Sequence, residues 1–322
     1  MKHPLTLTNP SILLLCGALT LCGALATRAA DGPDSVDLKL QWPVGKRLIT
    51  KVSVDQTQQI IGAPTGTMNQ SITQEQEIGV DVLKQLDDGG HELGVRFLAM
   101  KMDVKNGGAS MMSYDSKKKV FGSMNPLADT MDHLMETRLT LFTDASGKVT
   151  KVEGMQSMLD SLGQGGNAIV GQMLKGMFNE DAIKQMGMLP QGLPNKTVKL
   201  GESWPFEMTM DLGPLGKLTI AMTYTFSGWA AHEGLTCAVL DYTGTISSQE
   251  AGSTPGAQMT MDITNGTMKG KSWFDAESGL VRDTQGEQSL SMNIGAMGQK
   301  LTVRMKQEVN NKLTAIEDIP AF

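Results

Sequence analysis

The chain of 322 residues is short of the side chains that most often carry chemistry. It has 3 Cys and 4 His, and aromatic residues make up 5% of it. The sequence shows no strong catalytic or metal-ligand pattern, so we predict a protein that is not an enzyme and uses no cofactor. Its acidic balance, Lys+Arg 28 against Asp+Glu 34, gives no electrostatic driving force toward a phosphate backbone. We therefore do not expect nucleic acid as a partner.

Methionine and glycine are plentiful instead. The chain has 24 Met against 8 Phe, 4 Trp and 3 Tyr, and 36 Gly, and 40% of it is hydrophobic, which is enough to bury a core. The thioether is flexible and polarisable, so it fills irregular space and tolerates rearranged contacts. This composition favours either an adaptable ligand-binding face or a loosely specified core.

Residues 1–30 have the pattern of a secretory signal peptide. Lys2 precedes an apolar run over residues 12–26, and small residues follow it. We therefore predict an exported protein, periplasmic or extracellular. Cys16 and Cys22 each follow a leucine, where lipidation signals generally have Gly or Ala, so lipoprotein anchoring is not expected. Removal of the signal would leave Cys237 as the one cysteine, without a disulfide partner.

Most of the remaining chain alternates apolar and polar residues with a period of two, which is typical of strands with one buried face. Long strands are predicted over 48–61 and 67–86, with a turn at 87–90 and a bulge near Phe97. A helix is predicted over 126–135, and helical spacing recurs over 155–188.

These patterns predict a mainly β (α+β) fold, as a curved antiparallel sheet or two consecutive half-barrels. We divide the chain into the signal peptide, an N-terminal β half over 31–153, a helical insert and linker over 154–196, and a C-terminal β half over 197–322. The insert is expected to plug the sheet.

The candidate site is a set of apolar side chains on one strand face and on the insert. The alternation continues along neighbouring strands, so these side chains should form one surface. The candidate ligand-binding residues are Phe206, Met208, Met210, Leu218, Ile220, Met222, Met259, Met261, Met173 and Met177. We expect a concave, Met-rich face that binds lipid or another apolar small molecule.

Two alternatives remain open. The same side chains could fill the protein's own core, in a structural module that contacts another envelope protein. Pairs such as Met208 and Met210 would instead suit Cu(I), because soft sulfur ligands select it. The histidines that follow the signal, His91, His133 and His232, are expected on the solvated surface. Cys237, within a strand, is expected to be a small core residue.

Residues 269–284, KGKSWFDAESGLVRDT, resemble a hairpin of periplasmic lipoprotein carriers. The whole layout, with the Gly-Glu-Ser-Trp turn at 201–204, is similar to an uncharacterised family of secreted bacterial β-rich proteins. The carrier resemblance implies an incomplete β-barrel whose concave apolar face is plugged by helices and accepts acyl chains. The second resemblance implies no particular activity.

Overall fold

The structure is a computed structural model that describes residues 32–63, 66–118, 126–163, 192–211, 216–249, 259–296 and 299–320. The predicted signal peptide and most of the predicted insert, including Met173 and Met177, lie outside the described residues. The strands and helices are β1 (Ser35–Asp37), β2 (Lys46–Ala63), β3 (Gly66–Gln85), β4 (His91–Asn106), β5 (Ala109–Asp115), α1 (Pro126–Glu136), β6 (Arg138–Thr143), β7 (Val149–Glu153), α2 (Met155–Gly163), β8 (Thr197–Lys199), β9 (Ser203–Asp211), β10 (Lys217–His232), β11 (Leu235–Gln249), β12 (Met259–Asp275), β13 (Leu280–Ala296) and β14 (Gln299–Asp318).

One antiparallel sheet of 12 strands dominates the fold, which confirms the predicted fold class. Its order is β7-β6-β4-β3-β2-β14-β13-β12-β11-β10-β9, with β5 added beside β4. The last strand, β14, pairs with β2 along most of its length, so strands from both predicted halves share a single sheet. Strands β1 and β8 form a separate two-stranded sheet.

The local predictions for the N-terminal strands are confirmed. The pairing of β3 with β4 shifts between Glu77 and Ile78, which face Ala99 and Phe97. Leu98 is therefore the extra residue of the bulge. Helix α1 also begins and ends within a residue of its predicted bounds.

Antiparallel pairing fixes which side chains share a face, because directly opposed residues project to the same side. We call the face that carries Tyr242 and Leu240 the core face, and the other, which carries Asp241, the charged face. Two buried clusters lie on the core face, both toward the same end of the strands. One contains Leu93, Leu141 and Val82, and the other contains Phe226, Leu240 and Phe274.

Short segments cover these clusters. Val36 and Leu38 pack with Val198 in the second cluster, and Trp42 packs in the first. Met158 of α2 is also buried in the first cluster. The segment that leads into β2 therefore lies across both cores at this end of the sheet.

A buried ion pair lies on the charged face, on the opposite side of the sheet from the first cluster. The Nε and Nη2 of Arg47 donate to the carboxylate of Asp81 at 2.5 Å and 3.1 Å, and Arg96 donates to the same carboxylate. Burial alone would raise the pKa of Asp81, but the hydrogen bonds from the two guanidinium groups outweigh it and hold this pKa below its ordinary value.

Replacing Leu93 by Ala should lower the free energy of unfolding by about 2–5 kcal/mol, because a fully buried side chain leaves a cavity. Leu83, which is 41% exposed, is the matched control, and Leu83→Ala should change stability by about 0.5 kcal/mol or less. Urea denaturation followed by circular dichroism measures both. Equal losses would contradict the assigned core.

Replacing Asp81 by Asn should cost about 3–5 kcal/mol at pH 7, because the buried guanidinium of Arg47 and the partly buried one of Arg96 lose the carboxylate that they share. Since the folded pKa lies below the unfolded value of about 3.9, the stabilisation by Asp81 is present above that pH and is lost as the pH falls through the folded pKa. The unfolding free energy of the wild type should thus fall more steeply below about pH 4 than that of Asp81→Asn. Asp318→Asn, which removes an exposed pair with Lys46, should leave the pH 7 stability nearly unchanged.

Candidate functional site

Six of the predicted ligand-binding residues form three directly opposed pairs. Met210 faces Leu218, Met208 faces Ile220, and Phe206 faces Met222 across β9 and β10. All six are half-buried, and they alternate on β9 with the exposed Pro205, Glu207 and Thr209. The structure brings them together on the core face, farther along the strands than the second cluster.

The same face continues apolar across the next strands. Met261 faces Ile294, and Ile294 faces Leu301. Ile263, Met292, Val303 and Ile60 form another row, one each from β12, β13, β14 and β2. The backbone of Met259 pairs with Ala296 at the far end of β12. We call these rows, with the three pairs on β9 and β10, the methionine surface.

A row of aromatic rings in the second cluster borders the methionine surface, and Phe206 and Met222 pack against this cluster. Trp204 stacks on Tyr224 with ring centroids 5.9 Å apart, and Tyr224 contacts Tyr242 at 5.3 Å. The indole Nε1 of Trp204 donates to the carbonyl of Gly192 at 2.6 Å. Burial raises the pKa of both phenols, so they remain neutral. The row is a rigid apolar floor at this end of the surface.

Two glycines make room for the end of that row. Gly270 and Gly286 face each other beside Tyr242, and a Cβ at either position would collide with the Tyr242 hydroxyl oxygen. The ring therefore lies flat across β12 and β13. Side chains at these two positions would push it off the sheet.

Seven half-buried glutamines lie on the core face of the central strands, and sequence reasoning missed them. They come from β2, β3, β13 and β14, and we call them the glutamine patch: Gln56, Gln58, Gln70, Gln74, Gln76, Gln288 and Gln307. Gln56 Nε2 donates to Gln58 Oε1 at 3.1 Å, and Gln58 Nε2 donates to Gln70 Oε1 at 2.6 Å. The signal was the repeat of Gln two residues apart in the predicted strands.

Charge is confined to the opposite face. In β9 to β14 and β2 to β4, from the aromatic row to the far strand ends, every charged side chain that the structure describes belongs to the charged face. Cross-strand ion pairs there include Lys269 with Glu287 at 2.9 Å and Lys51 with Glu75 at 3.2 Å. The core face has neutral amides and hydroxyls where it is polar.

Three adjoining hollows of about 870, 950 and 640 Å³ open on the charged face. The first two share Asp55, Lys269 and Glu308. Of the predicted ligand residues, the seven whose side chains the structure describes line none of the three. A hollow lined by methionine was expected on the core face, and these hollows lie on the other side of the sheet.

His232 corrects the expectation that the histidines are solvated. Its side chain is 16% exposed, its ring stacks on Trp273 at 4.4 Å, and its Nε2 lies 3.2 Å from the carboxylate of Asp283. The sequence could not show this, because the tip of the β10–β11 hairpin reaches over β12 and β13. An ion pair between Glu233 and Lys312 of β14 holds the tip there. His133 is exposed as expected, whereas Cys237 is fully buried as predicted.

Neither a metal centre nor a spanning helix is found in the part of the chain that the structure describes. There, no three His, Cys, Asp or Glu side chains come together as possible ligands. No described helix has the length and apolar character needed to cross a membrane. Met208 and Met210 lie directly opposite Ile220 and Leu218, and the nearest methionine of the facing strand is Met222, diagonal to Met208.

A family model matches about three fifths of the chain. It spans residues 88–281 and is described as a family of unknown function, DUF6263. No curated protein matches the chain significantly.

Several solved structures have distant similarity to the chain. Lipovitellin, described for its lipid–protein interactions, has 9% identity and a TM-score of 0.46 over 88% of this chain, which spans only 26% of the lipovitellin chain. A protein of Bacteroides fragilis described as exported, with a YmcC-like fold, has 10% identity and a TM-score of 0.28 over 88% of this chain and 99% of its own. An outer membrane channel from Pseudomonas putida F1 has 7% identity and a TM-score of 0.27 over 88% and 99%. At these scores, none of the three carries an argument about function.

Gly286→Ala should lower stability measurably, because the new methyl group meets the Tyr242 hydroxyl. In a Tyr242→Phe background the nearest ring atom would be Cζ at 3.5 Å, an ordinary contact, so the same change should be neutral or slightly stabilising. Thermal unfolding of the two single variants and the double variant measures this coupling. Additive effects would contradict the flat placement of the ring.

Proposed function

The chain belongs to the DUF6263 family of unknown function, and we propose that it is a non-enzymatic binding protein that holds lipid or another apolar ligand on the methionine surface. The observation that carries this proposal is a broad, half-buried apolar surface on one side of a single sheet. The described segments outside the sheet pack on the core face at the two clusters, and the second cluster extends to Phe206 and Met222 at the border of the methionine surface. Such a surface gains free energy when an apolar partner removes it from water.

The residues of the surface suit a ligand without a fixed shape. Met208, Met210 and Met222 have unbranched thioether chains that can adopt several rotamers at little cost. The aromatic row limits the surface at one end, and the strands give it a rigid base. Acyl chains, which differ in length and unsaturation, fit a base of this kind.

We also propose that the protein works in the cell envelope. The support is the signal peptide expected over residues 1–30, whose apolar run is too short to span a bilayer as an ordinary helix. A hydrophobic surface exposed in an aqueous compartment suits a lipid-binding protein there.

A structural module with a self-filled core is the second candidate. The observation that favours it is the cover over both clusters, where Leu38, Trp42 and Met158 fill the core face with the protein's own side chains. In that case the methionine surface would take no small ligand, and a neutral apolar dye would not bind.

Changing Met208 and Ile220 together to Gln should weaken binding of the neutral fluorescent dye N-phenyl-1-naphthylamine about tenfold or more. Each change removes apolar area worth more than about 1 kcal/mol, and about 1.4 kcal/mol is tenfold in affinity. The matched control is Thr209→Gln with Thr219→Gln, the neighbouring opposed pair on the charged face.

Fluorescence titration of the purified mature protein gives both affinities. Mass spectrometry of protein extracted from its host should also detect bound lipid. A wild-type protein that neither carries lipid nor binds the dye would overturn the lipid-binding proposal and favour the structural module. If both double variants lost the same dye affinity, the dye would not bind on the methionine surface.

A further inference from the structure

The sheet separates formal charge from neutral polarity more completely than folding alone requires. The charged face could be solvated by any polar residue, and the core face away from the clusters could also carry Lys or Glu at the edge of its apolar rows. It carries glutamine instead, at seven half-buried positions. Gln58, for example, is the nearest core-face neighbour of Ile60 along β2.

The physical difference between glutamine and a charged residue appears when water is removed. Covering a charged group by an apolar ligand costs several kcal/mol unless a counter-charge is supplied. An amide loses much less and recovers most of it through hydrogen bonds. A surface that an uncharged ligand covers is therefore expected to have amides, rather than charged groups, where it is polar.

The glutamine patch also has hydrogen-bonding groups that a ligand could use. Gln56, Gln58 and Gln70 form a chain of amide hydrogen bonds across two strands. The chain ends in a carbonyl oxygen on Gln56 and an amide nitrogen on Gln70, so its two ends present an acceptor and a donor. Ester carbonyls and hydroxyls are complementary to this pair, and neither brings a charge.

We propose that the glutamine patch binds the neutral polar part of an amphiphilic ligand, an ester or hydroxyl head group, while the acyl chains lie on the methionine surface. The ligand class is an uncharged acylglycerol type of lipid rather than a fatty acid anion. This inference rests on the proposed function, since it assigns the head-group half of the same site. Nothing in the patch pairs with a carboxylate, because the described cations of these strands lie on the charged face from the aromatic row to the far strand ends.

Competition between two lipids with the same chain tests this assignment. Monoolein and oleate, each below its aggregation concentration, displace N-phenyl-1-naphthylamine from the full-length mature protein. We expect monoolein to displace the dye at a concentration at least about tenfold lower than oleate, which corresponds to about 1.4 kcal/mol.

Two variants of adjacent residues locate the effect. Gln58→Glu places a charge in the patch and should weaken monoolein binding about tenfold. Gln59→Glu is the matched control, since Gln59 lies on the charged face opposite Asn69, and it should leave monoolein binding unchanged. Gln58→Leu is a second test of the patch, and it introduces no buried charge that could destabilise the protein. It should keep the affinity for the dye and lose the preference for monoolein over oleate.

The outcomes separate this inference from the proposed function. If the dye binds but both lipids displace it equally, in the wild type and in Gln58→Leu, the glutamine patch has no role and the methionine surface still stands. If Gln58→Glu and Gln59→Glu weaken monoolein binding alike, the head group is not on the core face. If the dye does not bind the wild type, the proposed function fails and this inference fails with it.

Discussion

Continuous antiparallel register is the constraint on which the rest of this structure depends. One row runs without interruption from Trp204 through Tyr224, Tyr242, Gly270, Gly286, Val309, Val54 and Gln74 to Met102, across nine strands. Because opposed residues project to the same side, a slip of one residue in any pair would move a whole strand's side chains to the other face. The cores, the methionine surface and the charge segregation all require that register.

The register is protected most strongly at one end of the strands. There the two clusters are buried beneath the chain that enters β2, and the carboxylate of Asp81 neutralises two guanidinium groups. Farther along, most side chains on the core face are half-buried, with Ile246, Leu290 and Val303 buried among them. Stability is thus concentrated at the covered end, and none of the segments that the structure describes covers the other end as a third layer. This division of the strands suits a binding protein, since the proposed ligand-binding surface lies apart from the buried clusters that stabilise the fold.

Both the hollows of the charged face and the methionine surface are candidate binding sites, and we distinguish them by the chemistry of their side chains. The hollows on the charged face are concave, but several of the charges that line them are already paired across strands, as in Lys269 with Glu287. Exposed pairs of this kind are usually solvated and contribute little. The methionine surface has no charges that could be paired in this way. We therefore assign the proposed function to it, and we assign the polar part of the ligand to the neutral amides.

The sequence by itself determined the strand class, most strand bounds, the Leu98 bulge, the burial of Cys237, and the shared face of Phe206, Met208 and Met210. Each of these follows from spacing along one strand, since a period of two needs no partner to be recognised. Only the tertiary structure decided that β14 joins β2 in one sheet, that the half-buried His232 stacks on Trp273, and that seven glutamines from four strands share the core face. Those facts depend on which distant strands pair, and pairing is set by the burial of whole faces rather than by any local pattern.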